Sequence, residues 1–319
     1  MPSLMPHVPS LMAHASRRAV LSTLGSASLG ALLTACGSSQ AAETTMAEPG
    51  AATPEPPAAP RSAAAPSAAS APLRPHVLSA AERLAIEERF RGRKPTQWGL
   101  AVTGVVTRTA TTAVALTFDA CGGPGGSRYD SALIQTLRRL KVPATLFLNA
   151  RWIEANPSLS AELAADPLFE IGNHGTAHVP LSVSGRSAYG IPGTASLAAA
   201  LDELLGNEQR VSALAGAAVP WFRPGTAFYD DVTAAATSAA GLVPLNFSVN
   251  ADAGATFPGW KVAAQLRTVE RGDIVISHMN QPGSGTAAGY AAGLPALLGR
   301  GIRFTTLSQS GLAVPGHTA

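Results

Sequence analysis

From residue 113 onward the chain alternates short apolar runs with segments of helical period, which predicts an α/β fold built from parallel βα units. Two further observations narrow the class. The alternation continues to residue 306 without a long break, which predicts a closed or nearly closed barrel. Polar residues with acid, base or metal-ligand chemistry recur at or just past the ends of the apolar runs: Asp119, Asn149, His174, Arg223, Asp252 and His278. In barrels of parallel strands the chemistry sits beyond the C-terminal strand ends, so these six residues predict a site at one end of the architecture.

The elements follow in order. Residues 113–119 read as a buried strand, and residues 131–140 as a helix with Leu133, Leu137 and Leu140 on one face. Residues 144–149 form the next strand, and 157–165 a helix opened by Asn156. A third strand covers 169–173, and Leu197, Leu201, Leu204 and Leu205 mark the helix after it. Residues 221–223 make a fourth strand, followed by a helix over 230–240. Strands over 242–249 and 273–277 flank a helix at 261–270, and a last helix near Leu294 leads into a strand over 302–306.

The chain before the barrel is of another kind. Residues 1–18 contain no acidic side chain and end in Ser16-Arg17-Arg18, and the apolar or small residues 19–35 stop at Leu33-Thr34-Ala35-Cys36. A basic start, a short apolar stretch and small residues at its end mark a secretory signal, and the stretch is short for a spanning helix. Its end resembles the lipobox of bacterial lipoproteins, and Ser-Arg-Arg-Ala-Val-Leu resembles the twin-arginine export signal. The resemblance implies an exported protein anchored to a membrane, facing the periplasm, through a lipid on Cys36. Gly37 in place of Asp after that Cys favours the outer membrane. Residues 37–75 are Ala, Pro and Ser with scattered Glu, a composition that cannot bury enough apolar area to offset its ordering entropy and reads as a disordered tether. The expected organisation is a signal over 1–36, a linker over 37–75 and a catalytic domain over 76–319.

Composition excludes other classes. With 23 Lys and Arg against 20 Asp and Glu, the formal net charge is +3, which argues against a dedicated nucleic-acid binder. No run of about twenty apolar residues follows the N-terminus, so a polytopic membrane protein is excluded. The two cysteines, at 36 and 121, leave at most one disulfide, so the fold must stand on its core.

His174-Gly-Thr-Ala-His178 places two imidazoles four apart in a glycine-flanked turn after a strand, where they can converge on a metal. Asp119 at the mouth of a buried strand suits a base or a ligand, and equally a cap. Arg223 within Trp-Phe-Arg-Pro-Gly is poorly placed for solvation and calls for a carboxylate partner. His278 follows the apolar Ile274-Val-Ile-Ser run, so its ring can emerge at the rim of the barrel.

Thr117-Phe118-Asp119, His174-x-x-x-His178, Arg223-Pro224, Asp252 and Ile276-Ser277-His278, in this order between βα units, resemble the NodB-type polysaccharide deacetylases of carbohydrate esterase family 4. The resemblance runs from about Val114 to Leu307. It implies a distorted (β/α)7 barrel of the glycoside hydrolase/deacetylase type. It also implies hydrolysis of N-acetyl or O-acetyl groups on an envelope or extracellular polysaccharide, with one divalent metal, zinc before cobalt, nickel or manganese. Carried over by position, Asp119 is the base, Arg223 orients it, and His174 and His178 hold the metal. His278 is the acid tuned by Asp252, Ile276 lines the acetyl pocket, and the backbone N–H of Gly225 or Thr226 meets the oxyanion.

Two positions depart from the family pattern. The family has two adjacent aspartates after Thr-Phe, base and ligand, and here the second is Ala120. Asp119 itself, Cys121 or Asp130 could supply the third ligand; Asp119 is the expected one, because Asp130 suits a helix N-cap and Cys121 a small buried filler. Arg-Pro-Gly-Thr also stands where Arg-x-Pro-Tyr-Gly is usual. Another amidohydrolase of the same barrel, acting on a small C–N bond substrate, and a non-catalytic glycan-binding lipoprotein are the alternatives. Trp152, Trp221, Tyr229 and Trp260 are the candidate sugar platforms, each also suited to a core.

Overall fold

The structure, a computed structural model, describes residues 78–316. The signal, lipobox, Cys36 and linker readings lie outside the described residues. The described chain opens on α1 (Ala80–Phe90), whose Ser79 side chain accepts from the Glu82 amide while the Glu82 carboxylate accepts from the Ser79 amide. There follow β1 (Trp98–Gly99), β2 (Val114–Ala120), α2 (Ser131–Leu140), β3 (Ala144–Leu148), α3 (Ala150–Ala155), α4 (Pro157–Ala165) and β4 (Phe169–Asn173). The second half comprises α5 (Leu197–Leu205), α6 (Glu208–Ala215), β5 (Trp221–Phe222), β6 (Tyr229–Asp230), α7 (Asp231–Ala239), β7 (Val243–Pro244) and β8 (Val249–Asn250). It ends with α8 (Gly259–Arg267), β9 (Ile274–His278), α9 (Thr286–Gly299) and β10 (Phe304–Thr305).

The main sheet is parallel, in the order β7-β5-β4-β3-β2-β9-β8, with β10 on the first residues of β2. Strand parity divides its two faces. In β2, Val114, Leu116, Phe118 and Ala120 join the cluster packed by Leu133, Ile134 and Leu137 of α2, Val262 and Leu266 of α8, and Tyr290, Leu294 and Leu297 of α9. Ala115 points the other way, into a cluster with Phe147, Trp221, Val243, Leu245, Ile274 and Leu307. Strands from both halves of the sheet meet in that cluster, so the sheet curls into a half-barrel around it. Because side chains alternate along a strand, Thr117, Asp119 and the following Cys121 fall on the inner face.

The strand expected over 242–249 is in fact two. β7 pairs with β5 and β8 pairs with β9, so the segment between them crosses from one side of the half-barrel to the other. Asn246 makes the crossing: its amide donates to the carbonyls of Leu100 and Ala227, and its own carbonyl accepts from Arg223. These bonds give partners to the main-chain carbonyls of Leu100, Ala227 and Asn246. Asp130 caps α2 by accepting from the Leu133 amide at 3.1 Å. Asn156 opens α4 without a side-chain cap, its amide donating instead to the carbonyls of Ser127 and Trp152. A second core, beneath α1, α5 and α7, gathers Ile86, Phe90, Leu201, Leu204 and Val232. No helix among the described residues is long and apolar enough to cross a membrane.

Candidate active site and metal centre

The register of the sheet sets the site. Asp119 lies opposite His278 across β2 and β9, Leu148 opposite Asn173, and Asn173 opposite Phe222. His174 and Arg223 are the next residues along their strands, so the four side chains share one layer at the C-terminal edge. Asp119 and His278 border a cavity of about 690 Å³ whose lining also includes Cys121, His178, Gly225, Thr226 and Ile276.

Asp119 and Arg223 form a buried pair, with Nη1 donating to Oδ1 at 2.7 Å. Nη2 of Arg223 donates to the Thr117 hydroxyl and the Asn246 carbonyl, and its guanidinium lies 4.4 Å from the Phe147 ring centre. Such a buried cation is held in place only by partners of this kind. Burial opposes ionisation of Asp119, but Arg223, then His174 and His278, outweigh it and hold the carboxyl below its ordinary value. Its Oδ2 stays clear of Arg223 and lies 3.6 Å from His174 Nε2.

Cys121, His174 and His178 each bring a ligand atom into a set within 4.8 Å of one another. His174 Nδ1 contacts the Arg223 carbonyl at 2.9 Å. A carbonyl only accepts, so Nδ1 carries a proton and Nε2 is the atom that would give its lone pair to a metal. Cys121 Sγ lies 3.9 Å from that Nε2. Burial would raise the thiol, yet His174, His178 and His278 override it and bring it well below its ordinary value. His178 Nε2 is buried without a hydrogen-bond partner, which in a folded interior calls for an explanation. Two imidazole nitrogens and a thiolate-favouring sulfur within 4.8 Å of one another are a donor set suited to zinc.

This set differs from the expected one, in which Asp119 was the third ligand and Cys121 a filler. Parity brings Cys121 to the site. Cys121 stands two residues beyond Asp119 on the inner face, whereas Ala120 between them is buried in the outer core. Asp130 is engaged in its cap, outside the set.

His278 is built into a third unit. Its Nδ1 lies 3.0 Å from Asp252 Oδ1, and its backbone N–H donates to Oδ2 at 2.7 Å. The Thr286 hydroxyl, at the start of α9, donates to the same Oδ2. Burial acts to lower the imidazole pKa, but Asp252, with Cys121, outweighs it and raises His278 well above its ordinary value.

One supporting residue, Glu203, went unread in the sequence. Glu203 of α5, itself buried, accepts the backbone N–H groups of Thr176, Ala177 and His178 and so shapes the loop that carries the second imidazole. His178 has φ +62°, a left-handed conformation that a bulky residue adopts only when its surroundings dictate it. At Gly225 a Cβ would stand 2.4 Å from His178 backbone and ring atoms, so glycine is what lets the loop approach. Asn149 donates to the carbonyls of His174 and Gly175 from the opposite side. A Ser79-x-x-Glu82 capping box was the legible signal for α1; a glutamate inside an apolar helix gives no such signal.

Of the candidate platforms, Trp152, Trp221 and Tyr229 are fully buried core residues, and Trp260 is exposed.

A half-barrel of parallel strands carries this site at its C-terminal edge. Residues 107–245 match the family described as polysaccharide deacetylase. No curated protein matches the chain. Among solved structures, it is similar to a family 4 carbohydrate esterase pseudoenzyme from Bacillus anthracis at 20% identity and TM-score 0.55, covering 66% of this chain and 70% of that one. It is similar to the Bc1960 peptidoglycan N-acetylglucosamine deacetylase at 20% identity and TM-score 0.54, over 65% of this chain and 92% of that one. PdaA of Bacillus subtilis, a family 4 carbohydrate esterase, matches at 18% identity and TM-score 0.52, over 71% of this chain and 87% of that one. Likeness at these identities speaks for the shared fold.

Proposed function

We propose that this chain is a metal-dependent deacetylase that removes acetyl groups from a glycan, with Cys121, His174 and His178 as the metal ligands. The observation that carries the reading is the convergence of three units on one cavity: the Asp119–Arg223 pair, the Cys121/His174/His178 set and the His278–Asp252 pair. A thiolate among the ligands favours zinc over the harder manganese ion. When bound, the metal would polarise the acetyl carbonyl and lower the pKa of water toward about 7.

The chain's own residues do the rest. Arg223 fixes Asp119 through Oδ1 and leaves Oδ2 to take a proton from the attacking water. Asp252 occupies His278 Nδ1, so Nε2 is the atom left to protonate the departing amine. Ile276 closes the apolar wall beside the acetyl methyl, and the amides of Gly225 and Thr226 border the carbonyl oxygen. Residues 1–36 extend the reading to an exported protein held by a lipid on Cys36, with the envelope polysaccharide in reach.

The test uses the full chain. Wild type should bind one zinc and release acetate from N-acetylated oligosaccharides. Cys121→Ser should weaken zinc by more than about 100-fold, beyond the loss typical of an outer partner. It should also abolish the sulfur-to-metal charge-transfer absorption of the cobalt-loaded protein. Asp119→Asn should lose turnover while keeping that absorption. Zinc affinity indifferent to Cys121→Ser but lost in Asp119→Asn would return the ligand role to Asp119. Glycan binding with neither metal nor acetate release would make the chain a non-catalytic binder.

A further inference from the structure

The loop between His178 and α5 carries a short hairpin in which Ala188 and Ile191 pair, with Tyr189 and Gly190 at its tip. Both tip residues have positive φ, +52° and +77°, the conformation of a tight two-residue hairpin turn. Glycine adopts it freely; a tyrosine does not, and strain of this kind collects at functional sites. The side chain it displays is 74% exposed and lines the same cavity as Asp119, His178 and His278.

Tyr189 does not stand alone. Its ring meets Phe228 edge-on at 5.3 Å, Phe228 meets Trp98 at 5.5 Å, and the Arg186 guanidinium lies 5.3 Å from the Trp98 ring centre. Four side chains from three separate segments thus form a continuous row with Tyr189 at its cavity end. The base of the hairpin is braced: Ser182 and Thr194 bond each other in both directions, and the Val183 amide donates to Asp230. A braced, partly exposed aromatic row is preorganised to receive a flat apolar face.

We propose that Tyr189, with Phe228 and Trp98 behind it, forms a glycan subsite that stacks the sugar ring next to the one being deacetylated. A pyranose offers an apolar C–H face to such a row, and the row is continuous with the cavity in which the acetyl group reacts. This inference rests on the deacetylase reading.

The probes are N-acetylchitotetraose and 4-nitrophenyl acetate, with wild type, Tyr189→Ala and Tyr189→Phe. Tyr189→Ala should raise KM for the tetramer about tenfold relative to its effect on the ester, the size of one aromatic contact, and Tyr189→Phe should restore it. Equal effects on both substrates would overturn the subsite. Titration with the tetramer, followed by tryptophan fluorescence, separates this from the catalytic reading. Tetramer binding that is lost in Tyr189→Ala sustains the subsite even if wild type releases no acetate. Binding absent from wild type, or equal in both proteins, overturns it.

Discussion

At the scale of single residues, the site turns on which atom of each ring or carboxylate is already occupied. His278 is the clearest instance, because Asp252 engages Nδ1 and also holds the proton on the ring to higher pH than a free imidazole would keep it. A step that needs this proton is supported fully below the raised pKa and fades as pH rises through it. The alkaline limb of the acetate-release profile should therefore lie above the range of an ordinary histidine. Asp252→Asn removes the charge that raises the pKa and should move that limb to lower pH; a limb that stays in place would clear Asp252 of this role. His278→Gln should reduce kcat by about 10² to 10⁴, the usual contribution of a positioned acid, with zinc stoichiometry retained. The residues that gather at the C-terminal edge of the sheet were readable in the sequence, the division of labour proposed for them less so. Asp119 and Cys121 are two apart and share a face; that parity was on the page, but a strand buried on both sides carries no alternation of polarity to reveal which face is which.

Elements act on the site through loops that they pin. α5 contributes no ligand, yet its Glu203 gathers three amides of the His174–His178 loop, and a Cβ at Gly175 would stand 2.4 Å from the Glu203 carboxylate. Glu203→Ala should therefore weaken zinc by about 10- to 100-fold, the range for partners behind a ligand. Gly225→Ala should do likewise by pushing His178 out of place, and zinc titration checks both. The βα alternation from residue 113 onward was legible because the strands are short apolar runs and helices such as α2 and α5 carry an apolar stripe. α6 and the strand pair β1–β6 were not, being too short to show a period. Tyr189 lies in a segment of 18 residues between His178 and Leu197 with no period at all, and only tertiary structure shows what it faces.

For the molecule as a whole, the two ends of the half-barrel do different work. At the end opposite the metal set, Glu170 on β4 accepts from Thr145, from the Trp221 indole and from the Leu307 amide, tying the C-terminal segment to the sheet. In parallel barrels that end governs stability. Glu170→Ala should cost about 1.5 to 3 kcal/mol, the range for hydrogen bonds to a charged group, read from the denaturation midpoint. Zinc affinity of the folded protein should stay as in wild type, and a parallel loss of both would show that the ends are coupled. The parallel strand order has a last consequence, in time rather than space. β2 is complete at residue 120, but its neighbour β9 is complete only at residue 278. At about 5 to 20 residues per second, a chain under synthesis waits roughly 8 to 32 s with that edge of β2 unpaired. Open strand edges recruit other strands, so production of this protein should depend on whatever shields the nascent chain during that interval.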